Sequence, residues 1–381
     1  MTESIQSTDV VLTEHRLASA KVLAQATLNA QATLNALNLD MIQALTRALT
    51  QWAQRPEVVA VLLTGAGDKA FCAGGDIQAL YHAITGNHQA GRIINRYPFE
   101  FFAQEYALDY LLHTYEKPVI CLGHGVVMGG GMGLFSAARF RIATERTRLA
   151  LPEITIGLFP DAGATYSLNQ MAPHQAVFLG LTGSHVNAAD ALEVGLATHV
   201  MPHEMRDTLL AALQKMSFSD DAGNNIALIA QQLAQLPAVD LPAGEIQQLP
   251  VFATTYTDLA EQVRALDAQK GRTKWIDRGL NNLHGGCPTT AGIVLEQLRR
   301  SKNMSLADMF RMEYNIAAHC AVNQDFAEGV RALLIEKDGA PRWQYPDIST
   351  LPDDHVQGHF STFETPHPLA GLGADSDAGS G

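Results

Sequence analysis

Residues 118–144, PVICLGHGVVMGGGMGLFSAARFRIAT, carry the strongest signal of how this chain folds. The apolar run 119–122 leads into a glycine-rich turn, residues 129–138 are mostly small, and a second apolar run begins at Phe140. Continuous apolar runs rich in β-branched residues are typical of strands that are buried on both faces. A strand, a turn, a helix of small residues and another strand predict parallel strands joined by a crossover helix.

The same alternation precedes this stretch. Asn38 is a suitable N-cap for a helix whose apolar residues recur every three or four positions until Arg55-Pro56. The run VVAVLL at 58–63 then predicts a buried strand, and it ends in the glycine-containing turn 64–68. We therefore predict an α/β fold with a mostly parallel sheet in the first half of the chain.

The pattern changes after about residue 205, where strand signals disappear and helices alternate with loops that contain proline and glycine. Asp325 followed by Glu328 predicts a capping box at the start of one late helix. Periodicity is lost after residue 346, and the end of the chain is rich in Gly, Ala, Ser and Asp. We predict a core at 1–204, a helical C-terminal region at 205–346 and an irregular, partly disordered tail at 347–381.

Composition excludes several classes of protein. The 381 residues include 39 Asp and Glu against 26 Lys and Arg, a net charge of −13, which argues against nucleic-acid and anionic-membrane partners. The chain has no apolar run near the roughly 18 residues of a membrane span and no signal-peptide pattern at its start. The four cysteines are far apart without a CxxC pair, which favours a reducing compartment. We expect a soluble, cytoplasmic protein.

Two glycine-rich turns, FCAGGD at 71–76 and MGGGMG at 128–133, follow predicted strands and lead into predicted helices. At such places backbone N–H groups are free to bind an anion or a developing oxyanion. The alternative is that the glycines only allow tight turns or close packing. Neither turn matches the GxGxxG or GxxxxGK[ST] patterns of nucleotide-binding loops.

A third candidate is the apolar stretch LALPEITIGLFPD at 149–161, whose only carboxylates are Glu153 and Asp161. Apolar surroundings raise the pKa of a carboxyl group and suit it to proton transfer near neutral pH. The structural alternatives are a first-turn helix residue for Glu153 and a helix N-cap for Asp161. The stretch alone does not separate the two interpretations.

Other catalytic patterns are absent from the sequence. It contains no GxSxG motif, so a serine hydrolase of that type is not indicated. His203-Glu204 does not continue to HExxH, and the 14 histidines show no ligand spacing. We predict no metal site.

Four motifs in this order, FCAGGDI, HGVVMGGGMGL, LALPEITIGLFPDAGATY and DFAEGVRALLIEKDGAPRW, resemble the crotonase (enoyl-CoA hydratase/isomerase) superfamily. The resemblance covers residues 10–347. It implies a ββα spiral core with a helical C-terminal region, and an acyl-CoA thioester as the bound small molecule. Coenzyme A would be part of the substrate, and no separate cofactor is expected. Trimers and hexamers are common in this superfamily, so a homo-oligomer is among the expectations.

The resemblance also implies roles for the first two motifs. The backbone N–H groups of Gly75 and Gly130 would polarise the thioester carbonyl, which is worth about 10²–10³ in rate per donor. Further substrate contacts map to the turn around Gly75, namely Phe71, Ala73, Gly74 and Asp76. An LNRP segment usual in the family reads LNAQ at 28–31 here, so a basic contact to the CoA phosphates is missing or comes from elsewhere, such as Lys69.

Four positions bear on the reaction. Hydratases of the superfamily use two glutamates, of which one matches Glu153, while the position of the other is Gly133 here. The sequence is more similar to the branch that hydrolyses short 3-hydroxyacyl-CoA thioesters, which has carboxylates at the positions of Glu105 and Asp161. The expected substrate is 3-hydroxyisobutyryl-CoA from valine breakdown.

In that interpretation Glu153 attacks the thioester carbonyl or deprotonates a water, and the sequence leaves both routes open. Asp161 and Glu105 would bind the substrate hydroxyl group or order the water. Two alternatives stay open: a hydratase or isomerase that uses Glu153 alone, and an acyl-CoA-binding protein without catalysis.

Overall fold

The computed structural model of the chain describes residues 5–7 and 9–374. Within these residues the strands are β1 (Ile5–Ser7), β2 (Val10–Arg16), β3 (Val22–Leu28), β4 (Val58–Gly65), β5 (Ala70–Cys72), β6 (Val119–Gly123), β7 (Val126–Met128), β8 (Phe140–Thr144), β9 (Arg148–Ala150) and β10 (His199–Met201).

The α-helices of the same residues are α1 (Leu39–Ala53), α2 (Ile77–Ala90), α3 (Tyr97–His113), α4 (Gly130–Ala137), α5 (Ala164–Asn169), α6 (Pro173–Thr182), α7 (Ala188–Glu193), α8 (Arg206–Gln214), α9 (Ala222–Leu233), α10 (Leu259–Asp267), α11 (Lys274–Gly285), α12 (Pro288–Ser301), α13 (Leu306–Val322), α14 (Gln324–Val330) and α15 (Asp353–Gly358). Short 3₁₀ turns lie at Gln31–Thr33, Glu153–Thr155, His203–Met205 and Ile246–Gln248, and a π-helical turn at Arg331–Ile335.

Two sheets organise the strands. The larger has seven strands in the order β1-β2-β3-β4-β6-β8-β10, and the smaller has three in the order β5-β7-β9. β1, β2 and β3 pair antiparallel, whereas β3, β4, β6, β8 and β10 pair parallel. Each of the pairs β4-β5, β6-β7 and β8-β9 gives its first strand to the large sheet and its second to the small one. Helices follow each pair, so the described residues form the predicted ββα spiral.

The local signals of the first half are confirmed. The Asn38 side chain accepts a hydrogen bond from the Met41 N–H at 2.8 Å and caps α1. The run 58–63 is fully buried within β4, as its continuous apolar pattern predicts. Among the described residues no strand follows Met201, which agrees with the loss of strand signals after about residue 205.

The chain forms two compact units of interleaved segments. The first comprises the described residues of Met1–Gly75, Leu111–Leu149 and Val186–Gly244. Its core lies on the large sheet, where Ile120 and Ile142 belong to one buried cluster with Leu213 of α8 and Ile229 of α9. The predicted division at 204/205 therefore differs from the observed one, because α8 and α9 bury their apolar faces on the sheet of the preceding segments.

The second unit comprises the described residues of Asp76–Tyr110, Ala150–His185 and Glu245–Gly381, and it is helical. Aromatic rings join α3 to α13: the Tyr106 ring centroid lies 5.8 Å from that of Phe102 and 6.3 Å from that of Phe310. All three rings are buried. This packing holds the middle of α3 against α13.

Part of the predicted tail is regular. The segment 347–374 includes α15, whose Val356 is buried against α12, where a Cβ at Gly292 would lie 2.7 Å from Val356 Cγ2. The prediction of an irregular tail is wrong for 353–358, since burial of this one side chain is not evident from local periodicity. The disorder predicted for 375–381 lies outside the described residues.

The capping box predicted at Asp325 is also wrong. α14 begins at Gln324, and the Asp325 carboxylate instead accepts hydrogen bonds from the Thr289 hydroxyl at 2.8 Å and the Gln344 N–H at 2.7 Å. In the part of the chain that the structure describes, no helix is both long and apolar enough to cross a membrane.

Candidate active site

The two glycine-rich turns lie together in the first unit. The Leu37 N–H donates to the Gly74 carbonyl at 2.8 Å, which anchors the turn that follows β5. Gly74 has φ +117° and Gly129 has φ +48°, so the residue before each predicted donor takes a backbone conformation that favours glycine. A Cβ at Gly74 would lie 3.5 Å from the Met128 carbonyl oxygen, which places the two turns in contact.

The predicted donors themselves are Gly75, in the first turn, and Gly130, the first residue of α4. The N–H of a first-turn helix residue has no acceptor within its own helix. Among the hydrogen bonds of residues 5–7 and 9–374, none uses the N–H of Gly75 or Gly130. A Cβ at Gly131 would lie 2.3 Å from the Cys72 carbonyl oxygen, so glycine also permits the close approach of α4 to β5. Both the functional and the packing interpretations of these glycines therefore have support.

The other residues predicted around this turn have structural partners. Phe71 is buried and its N–H donates to the His124 carbonyl at 2.7 Å, while the Ala73 N–H donates to the Leu34 carbonyl at 3.1 Å. The Asp76 carboxylate accepts from the Ala79 N–H at 3.0 Å and caps α2. Their contacts with a substrate stay predictions. The Lys69 side chain is exposed, beside a groove that Gln31 and Asn35 also line.

The predicted carboxylates come together in the second unit. Asp161 is buried, and its Oδ2 accepts a hydrogen bond of 2.5 Å from the Tyr106 hydroxyl. Burial raises the pKa of Asp161 to about 6, although the bond from Tyr106 acts in the opposite direction. Asp161 is not a helix N-cap, since Gly163 occupies that position before α5.

Glu153 opens the 3₁₀ turn Glu153–Thr155, so the first-turn interpretation is correct for its backbone. Its side chain is nevertheless buried, and Oε2 has no hydrogen-bond partner. Burial, and secondly the charge of Asp161, raise the pKa of Glu153 well above its ordinary value. A carboxyl group in these surroundings is suited to accept a proton near neutral pH.

Glu105 lies on α3 and is buried with Oε1 unpaired. Burial raises its pKa well above the ordinary value, and the charges of Asp161, Glu313 and Glu153 add to the effect. The structure therefore brings Glu105, Glu153 and Asp161 into one electrostatically coupled group. None of the three forms a salt bridge among the described residues.

Sequence reasoning missed three members of this group: Tyr106, Asp109 and Glu313. Asp109 is fully buried with both carboxylate oxygens unpaired, and burial and Glu105 raise its pKa well above the ordinary value. Glu313 accepts hydrogen bonds from the Gly163 N–H and from Thr165, and burial raises its pKa to about 7. The spacing of Glu105 and Asp109, four residues apart on one helix, was an available signal. Tyr106 and Glu313 lack such a local signal.

The acidic group is not arranged as a metal site. Among the described residues, no set of three or more His, Cys, Asp or Glu side chains is placed to hold a metal ion. Several buried carboxyl groups without cations nearby hold protons more tightly than in water. The arrangement is suited to proton transfer and to binding hydroxyl groups.

Comparison with known proteins gives the class first. The enoyl-CoA hydratase/isomerase family matches residues 23–360, and the chain belongs to this family. Two solved structures support the crotonase fold. A carnitinyl-CoA dehydratase from Mycobacterium thermoresistibile is 27% identical with a TM-score of 0.80, over 96% of this chain and 100% of that one. An enoyl-CoA hydratase from Rhodobacter sphaeroides 2.4.1 is 30% identical with a TM-score of 0.76, over 93% of this chain and 98% of that one.

More particular relatives are found among curated proteins. The mitochondrial 3-hydroxyisobutyryl-CoA hydrolase of Danio rerio is 34% identical over 334 residues, which cover 86% of this chain and 84% of the relative. The mitochondrial 3-hydroxyisobutyryl-CoA hydrolase of Homo sapiens is 32% identical over 331 residues, which cover 86% of this chain and 83% of the relative. The similarity to this branch of the family, expected from the motifs, is confirmed.

Proposed function

We propose that the protein hydrolyses 3-hydroxyisobutyryl-CoA to 3-hydroxyisobutyrate and coenzyme A. The observation that carries the proposal is the buried pair Glu153 and Asp161, together with glycine at position 133. Hydration of a double bond in this family needs a second glutamate where Gly133 stands, whereas thioester hydrolysis does not. The relatives named 3-hydroxyisobutyryl-CoA hydrolase support the substrate.

The proposed roles follow from the chemistry of each group. The N–H groups of Gly75 and Gly130 stabilise negative charge that develops on the thioester oxygen, a task for which unpaired backbone donors are suited. Glu153 supplies the carboxylate. In one route its oxygen attacks the carbonyl carbon, the C–S bond breaks, the CoA thiolate leaves and takes a proton, and water then hydrolyses the mixed anhydride. In the other, Glu153 takes a proton from a water whose oxygen attacks the carbonyl carbon, the C–S bond then breaks, and the CoA thiolate leaves and takes that proton.

Asp161 and Glu105 are proposed to recognise the 3-hydroxyl group or to order the attacking water. Carboxylate oxygens accept hydrogen bonds from hydroxyl groups, and buried acceptors favour substrates that satisfy them. No cofactor is needed for this reaction, because coenzyme A enters and leaves with the substrate. Phe71, Ala73, Gly74 and Asp76 are proposed to line the path of the CoA.

The setting of the reaction is also proposed. With this substrate, the proposed role of the protein is in valine catabolism. A cytoplasmic location stays a prediction from the sequence, and the relatives described above are mitochondrial proteins by name. A homo-oligomer likewise stays a prediction.

Release of free CoA tests the proposal directly. The protein is incubated with 3-hydroxyisobutyryl-CoA in the presence of a thiol reagent, and crotonyl-CoA is followed in parallel by its enoyl absorbance. Hydrolysis releases thiol from the first substrate and leaves the second unhydrated. Hydration of crotonyl-CoA without thiol release would support a hydratase instead, and no change in either would indicate an acyl-CoA-binding protein.

A further inference from the structure

Tyr106 lies in an enclosed position on α3. Its side chain is fully buried between Phe102 and Phe310, so neighbouring rings fix the direction of the phenol. The hydroxyl donates to Asp161 Oδ2 at 2.5 Å across 55 residues of sequence. A donor held by packing therefore occupies one oxygen of the carboxylate proposed to meet the substrate hydroxyl.

The backbone that carries Asp161 is held by other groups. Glu313 on α13 accepts from the Gly163 N–H at 2.8 Å and from the Thr165 N–H at 3.0 Å. Gln297 on α12 donates to the Pro160 carbonyl at 2.8 Å. Since these bonds fix the loop on both sides of Asp161, loss of the Tyr106 hydroxyl is expected to free the carboxylate without releasing the loop.

We propose that Tyr106 is a positioning residue that orients the Asp161 carboxylate toward the substrate's 3-hydroxyl group and so sets the preference for 3-hydroxyacyl chains. This inference rests on the proposed function. Tyr106 acts through Asp161 and needs no contact with the substrate. A hydrogen bond that fixes the direction of an acceptor improves discrimination between acyl chains with and without a 3-hydroxyl group. An acceptor that points in the wrong direction does not bind the substrate hydroxyl.

The charge of Asp161 depends on the same bond. Burial raises the pKa of Asp161, whereas the bond from Tyr106 and a hydrogen bond from the backbone favour the ionised carboxylate. The titratable groups that interact with Asp161 or its phenol partner are Glu105, Tyr106 and Asp109 of α3, Glu153 of the 3₁₀ turn, and Glu313 and Cys320 of α13. Removing the Tyr106 hydroxyl is therefore expected to raise the pKa of Asp161.

The test compares Tyr106→Phe with Tyr314→Phe. Tyr314 is also fully buried, and it donates its hydroxyl to a different carboxylate, that of Glu364, which also accepts from Arg96. The measured quantity is kcat/KM for 3-hydroxyisobutyryl-CoA divided by kcat/KM for isobutyryl-CoA. We expect Tyr106→Phe to lower this ratio by about tenfold or more, because a lost hydrogen bond to a charged group has an effect of about this size. Tyr314→Phe should leave the ratio unchanged.

Two further readouts separate positioning from general damage. The pH below which the substrate ratio declines should move to higher pH in Tyr106→Phe, because the ratio depends on ionised Asp161. In an Asp161→Ala background, Tyr106→Phe should change the ratio no further. An unchanged ratio, including one that results from equal losses on both substrates, would overturn the role of Tyr106.

If Tyr106→Phe does not fold by circular dichroism, 3-fluorotyrosine at position 106 replaces it. The fluorinated phenol is a stronger donor, so the pH below which the substrate ratio declines should move to lower pH, and an unchanged pH would reject the inference. Wild-type protein that releases no CoA from either substrate would overturn the proposed function and this inference together. Active wild type with an unaltered Tyr106→Phe ratio overturns the inference alone.

Discussion

The carboxylate of Glu313 accepts two hydrogen bonds from Thr165, one from its backbone N–H at 3.0 Å and one from its hydroxyl at 2.5 Å. A third comes from the Gly163 N–H at 2.8 Å. Ala162 and Gly163 both have positive φ, which is an uncommon conformation for alanine. One buried side chain of α13 thus holds the turn that places Asp161.

Glu313→Gln should therefore destabilise the protein. The amide group turns a donor toward N–H and hydroxyl groups that need an acceptor, and an unsatisfied buried donor costs about 1–3 kcal/mol. The free energy of unfolding in urea is measured at pH 5, where the raised pKa of Glu313 costs the wild type little stability. The exposed Glu116→Gln is the control, with an expected change within about 0.5 kcal/mol. Equal stability of the two variants would contradict the role given to Glu313.

Asp109→Asn should stabilise the protein, and the gain should grow with pH. Burial raises the folded-state pKa of Asp109, so the native state keeps a proton that the unfolded state releases above its ordinary pKa. Each pH unit between those two pKa values costs the wild type about 1.4 kcal/mol of stability, and the variant avoids this cost. Urea unfolding between pH 5 and pH 8 measures the effect.

Asp308→Asn is the matched control for this measurement. The bond from Ser305 lowers the pKa of Asp308, so its carboxylate contributes stability above the unfolded pKa, and the substitution should have the opposite sign. A gain from Asp109→Asn that does not depend on pH would contradict the proposed state of Asp109.

Thioester hydrolysis should have an acidic limb well above the ordinary carboxyl range. Burial raises the pKa of Asp161 to about 6 and that of Glu153 well above its ordinary value, and Glu153 must be ionised to attack or to accept a proton. The kcat/KM should fall as pH drops through these values. Asp161→Asn removes a charge that raises the pKa of Glu153, so its limb should move to lower pH. A wild-type profile that stays flat to pH 4.5 would contradict this account.

Gly133→Glu should not create an efficient hydratase. Gly133 is buried within α4, so an added carboxylate has to be desolvated, and an error of about 1 Å in its position costs about 10²-fold in rate. We expect weaker thiol release and little hydration of crotonyl-CoA. Gly133→Ala separates the effect of bulk from that of charge. Robust crotonyl-CoA hydration by the unmutated protein would show that the second glutamate is not needed.

Much of the fold could be predicted from local sequence. The strand at 58–63 and the cap at Asn38 have short-range causes, namely a continuous apolar run and a side chain that bonds to the next helical turn. By contrast, no short-range feature of the sequence predicts that segments of the two units alternate along the chain. Gln297 and Pro160 are 137 residues apart, and their bond depends on the packing of whole helices. The false capping box at Asp325 has the same origin, since Thr289 and Gln344 compete successfully for its carboxylate.

The candidate site was only partly predictable for the same reason. Glu153 and Asp161 are conspicuous as the only carboxylates of an apolar stretch, and Glu105 entered through the family resemblance. The roles of the Tyr106 hydroxyl and the Glu313 carboxylate depend on hydrogen bonds to residues 55 and 150 positions away along the chain. No local sequence pattern indicates these partners.

The central claim is that Glu153 performs thioester hydrolysis, and Glu153→Gln tests it most directly. The amide keeps the shape of the side chain and loses both basicity and nucleophilicity. The rate of CoA release from 3-hydroxyisobutyryl-CoA is measured for wild type and variant, with circular dichroism and CoA affinity as checks of the fold. We predict that the variant binds CoA and loses turnover almost completely. A variant that retains more than about a tenth of wild-type kcat, a barrier change below about 1.4 kcal/mol, would contradict the claim.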